Sequence, residues 1–186
     1  MAWEFRMLDW IRAHRTRILD VLMPFFTSIG NGGLVWHLLS LVLLVLAPFR
    51  AVGLCVFFSS MLASAFANLC MKPLAGRVRP WEHRPDVGLL TKKRPHGSSF
   101  PSGHATTSFG GAVGGTVGMA MAFGAVPAIW MGALAGLVAL CISYSRLYLY
   151  VHFPTDVFVG ILVGVLFGLF IPRGVFPMYD YLMNLR

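Results

Sequence analysis

Long apolar runs separated by short polar stretches dominate this sequence. Since a membrane-spanning helix needs about 20 apolar residues, the runs over 51–71, 105–126 and 127–145 qualify, and those over 34–47 and 157–171 are shorter but similar in character. A sixth run, 18–29, is shorter still and contains Pro24, so we interpret it as a partial or tilted segment. The pattern predicts an all-α fold: a polytopic transmembrane helical bundle of about six membrane segments.

The composition agrees with a membrane location. Of the 186 residues, 57% are hydrophobic and only 12% are charged, whereas soluble domains carry about 25% charged residues. The length suits one domain and is too short for two. We therefore expect residues 1–186 to form a single membrane-embedded domain.

The first seventeen residues differ from the rest of the chain because they combine large apolar side chains with arginines. This mixture predicts a helix over 1–17 that lies in the membrane interface. A signal peptide is the alternative. However, no A-x-A-like cleavage site follows Ile29, and Gly30-Asn31-Gly32-Gly33 has the composition of a turn.

Three polar stretches interrupt the apolar runs and carry the candidate chemistry. They are Lys72-x6-Arg79-Pro80, then Pro101-Ser102-Gly103-His104, then Ser145-Arg146-x5-His152-x3-Asp156. Two spans joined by the short turn at 123–127 separate the 72–104 loop from the 146–156 junction, so both regions are expected on one membrane face. Seven cations in that loop are too costly to place in hydrocarbon. The site is therefore expected at the membrane interface.

The third stretch predicts an activated imidazole. Asp156 follows His152 by four positions, a spacing that brings two side chains together on one helical face. A carboxylate that holds one ring nitrogen fixes the tautomer and leaves the other nitrogen free as a nucleophile.

The second stretch, together with the cations, predicts a phosphate site. Ser102 is a natural N-cap for the apolar helix that follows, helix N-termini bind phosphate, and Gly103 permits close approach of the backbone. His104 is a candidate general acid and base. Three cations complete the set and would neutralise the phosphate oxygens: Lys72, Arg79 and Arg146.

These motifs resemble those of the type 2 phosphatidic-acid phosphatase superfamily, in order and in internal spacing, over residues 72–156. The resemblance implies that His152 is the nucleophile and forms a phosphohistidine, with Asp156 as its partner and His104 as acid and base. It also implies that no metal or other cofactor is needed. The phosphate-binding residues that it implies are Lys72, Arg79, Ser102, Gly103 and Arg146.

The resemblance implies a lipid phosphate as substrate and the lipid bilayer as surroundings, with no nucleic-acid partner. Undecaprenyl diphosphate is the first choice, and phosphatidate and phosphatidylglycerol phosphate are alternatives among which the chain itself does not choose. Two other classes are a non-catalytic protein that binds anionic lipid and a transporter. Glycines spaced every four residues, as at Gly110 and Gly114, favour packing between spans of one chain over a homodimer.

The side of the membrane on which the site lies depends on whether the 18–29 run crosses. With the N-terminus inside, Lys and Arg number seven on the inner side and seven in the 72–104 loop, so the positive-inside rule is balanced. Discounting Lys72 and Arg79 as motif residues leaves a preference for an N-terminus inside. The site would then face outward from the cell membrane, and this conclusion reverses if 18–29 does not cross. The cations of the 81–100 loop could bind the rest of a headgroup or simply be solvated.

Overall fold

The structure, a computed structural model, describes residues 1–91 and 94–185. These residues form helices joined by turns and irregular segments, with no strand among them. Lys92, Lys93 and Arg186, which were among the cations counted above, lie outside these residues. The predicted all-α fold is confirmed. The helices are α1 (Ala2–Ala13), α2 (Arg17–Gly30), α3 (Leu34–Val45), α4 (Arg50–Ala65), α5 (Lys72–Ala75), α6 (Pro80–His83), α7 (Gly103–Phe123), α8 (Ala125–Tyr148) and α9 (Pro154–Asn184).

Four helical stretches among the described residues are long and apolar enough to cross a membrane: Arg17–Val45, Ala47–His83, Ala125–Tyr148 and Pro154–Asn184. The 21 residues of α7 extend about 32 Å, which also matches the hydrocarbon thickness. Because α7 packs against α4, α8 and α9, it can carry many glycines and hydroxyl residues in place of a lipid-facing apolar surface. The count of six segments stays a prediction.

Glycines let the helices around α7 approach it closely. A Cβ atom added at Gly114 of α7 would lie 2.3 Å from Ser59 Oγ of α4, and one at Gly164 of α9 would lie 2.5 Å from the carbonyl oxygen of Thr106. Both distances are far below van der Waals contact. These glycine faces are therefore occupied by other helices of the same chain.

The N-terminal helices lie at one end of the bundle, together with the 72–104 loop and the 146–156 junction. We call this end the site end. Arg77 of the loop donates to Glu4 of α1 at 2.7 Å. The opposite end is marked by Phe49 and Phe123, whose ring centroids are 4.9 Å apart.

Helix α2 does not run between the two ends. Its N-cap residue Thr16 lies beside Tyr148, with the Thr16 amide 3.3 Å from the Tyr148 hydroxyl, and a Cβ at Gly30 would lie 2.9 Å from the His104 ring. With 14 residues, α2 is only about 21 Å long. The expectation that the N-terminus and the 72–104 loop lie on opposite faces is therefore not met.

Candidate active site

A cavity of about 280 Å³ opens at the site end, and six of the eight predicted site residues line it. They come from α5, from the residue before α6, from the first turn of α7, from the last turn of α8 and from the turn between α8 and α9. The six are Lys72, Arg79, Gly103, His104, Arg146 and His152. The other two, Ser102 and Asp156, are fully buried and do not belong to the lining.

His152 lies in the turn between α8 and α9 and is 2% exposed. Its Nδ1 atom is 2.7 Å from the carbonyl oxygen of Ser99. Because a carbonyl only accepts hydrogen bonds, this contact holds the ring proton on Nδ1 and leaves a lone pair on Nε2. Burial, together with the charges of Arg146 and Arg79, lowers the pKa of His152 to about 3. The imidazole is therefore neutral near pH 7.

Asp156 is close to His152 without being bonded to it. The shortest separation, from His152 Nδ1 to Asp156 Oδ2, is 3.6 Å, beyond hydrogen-bond distance. The same Oδ2 accepts the Phe153 amide at 2.8 Å, and Oδ1 accepts Arg77 Nη1 at 2.5 Å. His152 precedes the first residue of α9, so the helical i, i+4 relation does not apply. The sequence predicted that Asp156 fixes the tautomer of His152. In the structure the Ser99 carbonyl does so.

Arg79 is almost fully buried and connects two parts of the site. Its guanidinium donates to the carbonyls of Gly97 at 3.0 Å, Ser98 at 3.2 Å and Val151 at 3.1 Å. Its Nη1 also lies 3.2 Å from His152 Nε2. Arg79 thus fixes the loop before α7 to the turn that carries His152. Because a guanidinium only donates, the lone pair of His152 Nε2 accepts this hydrogen bond.

The other two cations are positioned by side chains that the motifs do not contain. Lys72 Nζ donates to Asn68 Oδ1 at 2.6 Å, and Asn68 lies in a π-helical segment, Phe66–Met71, that continues α4. Arg146 is 5% exposed and donates to the Thr27 hydroxyl. Both cations therefore enter the cavity from helical segments.

The predicted helix start at Ser102 is where α7 begins, with Gly103 as its first residue. The Ser102 side chain does not cap the helix, and its Oγ has no hydrogen-bond partner among the described residues. His104 Nε2 lies 3.0 Å from Asn31 Oδ1 and 3.2 Å from the Thr27 carbonyl oxygen. These two acceptors of α2 and its following turn hold a proton on that nitrogen.

Several residues at the site end were missed by sequence reasoning. Asn31 had been read only as part of a turn, and Thr27 as part of an apolar run. Glu4 is the clearest omission. It is one of two acids, with Asp9, in a basic segment, and it falls on the face of α1 that also carries Leu8 and Ile11, all three of them buried. A helical projection of 1–17 would have shown this acid on the inward face.

Among residues 1–91 and 94–185, no three His, Cys, Asp or Glu side chains form a group that could hold a metal ion. The groups that line the cavity include three imidazoles, of which His104 and His152 belong to the motifs and His96 does not, and three cations; the start of α7 adds free backbone amides. Such a set can bind a phosphate, attack it and protonate a leaving oxygen.

Comparison with known proteins agrees with this chemistry. The family model of the PAP2 superfamily matches residues 53–179. An undecaprenyl-diphosphatase of Sulfolobus acidocaldarius is 30% identical over 169 residues, which cover 88% of this chain and 74% of that protein. A lipid A 4′-phosphatase of Bacteroides thetaiotaomicron is 30% identical over 151 residues, covering 75% of this chain and 64% of that protein.

Two crystal structures share the fold. A transmembrane PAP2-type phosphatidylglycerolphosphate phosphatase from Bacillus subtilis gives a TM-score of 0.73 at 22% identity, covering 93% of this chain and 84% of that one. LpxE from Aquifex aeolicus gives 0.67 at 28% identity, covering 91% and 94%. The resemblance to type 2 phosphatidic-acid phosphatases is confirmed: the chain belongs to the PAP2 superfamily and is a multi-pass membrane phosphatase.

Proposed function

We propose that this protein hydrolyses the phosphate monoester or diphosphate of a membrane lipid through a phosphohistidine at His152. The observation that carries the proposal is the convergence of His104 and His152 on one cavity with three cations. An anionic-lipid-binding protein would need the cations and would not need two imidazoles with opposite proton arrangements.

Binding of the phosphate is assigned to the cations and to the start of α7. Lys72, Arg79 and Arg146 neutralise the phosphate oxygens, on which phosphoryl transfer concentrates its charge. The amides in the first turn of α7 add donors and the positive end of the helix dipole. Gly103 leaves this turn open to the substrate. Ser102 is proposed to bind phosphate through its unpartnered hydroxyl, after a rotation of its side chain.

The first chemical step is attack by His152 Nε2 on phosphorus, after Arg79 Nη1 has turned from this nitrogen to a phosphate oxygen. An N–P bond forms as the P–O bond to the lipid oxygen breaks. His104 enters this step as the imidazolium, with Nε2–H held by Asn31 and Thr27, and gives its second proton, from Nδ1, to that oxygen. The positive charge that develops on the His152 ring is stabilised by Asp156, 3.6 Å away, while the Ser99 carbonyl keeps the Nδ1 proton in place.

The second step regenerates the enzyme. His104, now neutral, accepts a proton from a water molecule as the water oxygen attacks phosphorus. The N–P bond breaks, its electron pair returns to Nε2, and inorganic phosphate leaves. No metal ion takes part in either step, so activity is expected to survive EDTA.

Undecaprenyl diphosphate is proposed as the substrate, supported by the name and coverage of the Sulfolobus relative. Phosphatidate and phosphatidylglycerol phosphate stay as alternatives. Lipid A is a further candidate because the Bacteroides relative is a lipid A 4′-phosphatase. All four present a phosphate at the membrane interface, which suits a cavity at one end of a bundle of apolar helices.

The site is proposed to lie on the same side of the membrane as the N-terminus. The sequence-based assignment to the outer face required α2 to cross. That assignment loses its support because α1 contacts the 72–104 loop through Glu4 and Arg77. Reporter or labelling experiments on the two regions together decide the side.

The proposal is tested by phosphate release from a panel of these four lipids with purified protein in detergent. We expect turnover of at least one lipid, no loss with EDTA, inhibition by vanadate, and no turnover by His152→Ala. Binding of lipids without phosphate release would instead identify an anionic-lipid-binding protein, and turnover by His152→Ala would exclude the nucleophile assignment.

A further inference from the structure

A buried acid on α1 contacts the site from outside the three motifs. Glu4 is 3% exposed. Its Oε2 accepts Arg77 Nη2 at 2.7 Å, and its Oε1 accepts the Thr155 hydroxyl at 2.6 Å. The burial of a charge is costly unless it is paired and hydrogen-bonded, and both oxygens of Glu4 are satisfied by residues of the site end.

Arg77 links Glu4 to Asp156. Its Nη1 donates to Asp156 Oδ1 at 2.5 Å and to the Thr155 hydroxyl at 2.7 Å, while Nη2 donates to Glu4. The guanidinium carbon also lies 4.2 Å from the centroid of the Phe153 ring. Glu4 is the hydrogen-bond partner of Nη2 within the described residues, so the orientation of the guanidinium depends on both carboxylates.

Asp156 in turn fixes the two backbone segments that carry the imidazoles. Its Oδ2 accepts the Phe153 amide at 2.8 Å, next to His152. Its carbonyl oxygen accepts the Ser102 amide at 2.9 Å, two residues before His104. A displacement of Asp156 therefore moves the nucleophile and the start of α7 together.

We propose that Glu4 is a positioning residue of the phosphatase reaction, which acts through Arg77 on Asp156 and thereby on His152. This inference rests on the proposed function. It makes α1 a part of the reaction site, although α1 lies outside the three motifs. Glu4 contacts none of the cavity cations, so its effect is on the alignment of the reacting groups and not on phosphate binding.

The proposal predicts a split between kcat and KM. Replacement of Glu4 by alanine leaves Arg77 Nη2 and the Thr155 hydroxyl without their acceptors. We expect kcat to fall by about tenfold to a hundredfold, with KM within about twofold of the wild type. Glu4→Gln keeps the shape and one acceptor oxygen, so its loss of kcat is smaller.

A double-mutant cycle with Arg77→Met tests whether Glu4 acts on the reaction through Arg77. If Glu4 acts through Arg77, adding Glu4→Ala to Arg77→Met causes no further loss of kcat, because the connection is already broken. Losses that multiply would show that Glu4 acts independently and would overturn the proposal. Where Glu4→Ala does not yield folded protein, the same cycle is run with Glu4→Gln.

Controls separate this inference from the proposed function and from a general loss of folding. Met7→Ala changes an exposed side chain of α1 and is expected to leave kcat, KM and the melting temperature unchanged. A wild type without phosphatase activity would refute the proposed function. An active wild type, together with Glu4→Ala and Glu4→Gln variants of unchanged kcat, would refute only the positioning role.

Discussion

Replacement of Gly103 by alanine is expected to lower activity without lowering the stability of the fold. An ideal Cβ at this position would lie 3.5 Å from Asn68 Oδ1 and 3.6 Å from Lys72 Nζ, which is ordinary van der Waals contact. Gly103 is also the first residue of α7, where alanine is the better helix former. The free protein therefore accommodates the methyl group.

We expect that the bound phosphate does not accommodate the methyl group. A phosphate oxygen bound to Lys72 must come within about 2.8 Å of Nζ, and the new methyl group would stand 3.6 Å from the same atom. A displacement of the phosphate by about 1 Å can cost about a hundredfold in rate, equivalent to about 2.7 kcal/mol. We expect kcat/KM to fall by about this factor, with a melting temperature equal to or above that of the wild type.

Two other glycines provide matched controls. Gly136→Ala adds a methyl group where the described residues leave open space, so activity and melting temperature should both be unchanged. Gly164→Ala places the methyl group 2.5 Å from the Thr106 carbonyl oxygen and 2.9 Å from the Gly110 amide nitrogen. These backbone atoms cannot retract, and we expect a stability loss of about 1–3 kcal/mol.

The assay measures phosphate release and thermal unfolding in detergent for all three variants. Full activity of Gly103→Ala would refute the placement of the phosphate beside this turn. An unfolding transition lowered as far as that of Gly164→Ala would show that Gly103 serves packing, as the glycines of the α7–α9 contact do.

Three further predictions follow from the same geometry. His104→Ala should lose activity most strongly for lipids with poor leaving groups and least for aryl phosphates, whereas equal losses for both would remove its role as an acid. Because the pKa of His152 is lowered to about 3, its NMR signals should not titrate between pH 5 and 8. In the unfolded chain this histidine binds a proton below about pH 6.5, so acid should destabilise the fold. A titration midpoint of the folded protein's His152 signals near pH 6.5 would contradict this prediction. Trp3→Cys and Leu90→Cys, each made in a chain whose Cys55, Cys70 and Cys141 are replaced by serine, should react with the same side-specific reagent in intact cells, since α1 and the 72–104 loop share the site end. Labelling from opposite sides would contradict the fold.

The motifs predicted most of the site because their lysine, arginine and histidine side chains have a chemistry that can be recognised in the sequence. Lys72, Arg79, His104, Arg146 and His152 meet at one cavity, and each stood at the edge of an apolar run. The apolar runs likewise predicted the helices, although α9 extends to Asn184, well beyond the predicted end at 171.

What the sequence could not supply depends on backbone atoms and on distant pairs. A carbonyl oxygen such as that of Ser99 has no side-chain signature, so the sequence assigned the fixing of the His152 tautomer to Asp156, whose Oδ2 lies 3.6 Å from the same Nδ1. Glu4 and Arg77 are 73 positions apart, and no local pattern connects them. The sequence also could not predict whether α2 crosses the membrane, because a short apolar run is compatible both with a helix that lies along the site end and with a partial span.

The central claim is that His152 attacks phosphorus, and a trapped intermediate tests it most directly. The purified enzyme is mixed with lipid substrate carrying a radiolabelled phosphate, quenched in alkali within one turnover, and digested for mass spectrometry. We predict an acid-labile, alkali-stable label on His152, no label in His152→Ala, and a longer-lived label in His104→Ala because water then lacks its base. Turnover by the wild type without a labelled protein, or with the label on another residue, would contradict the mechanism.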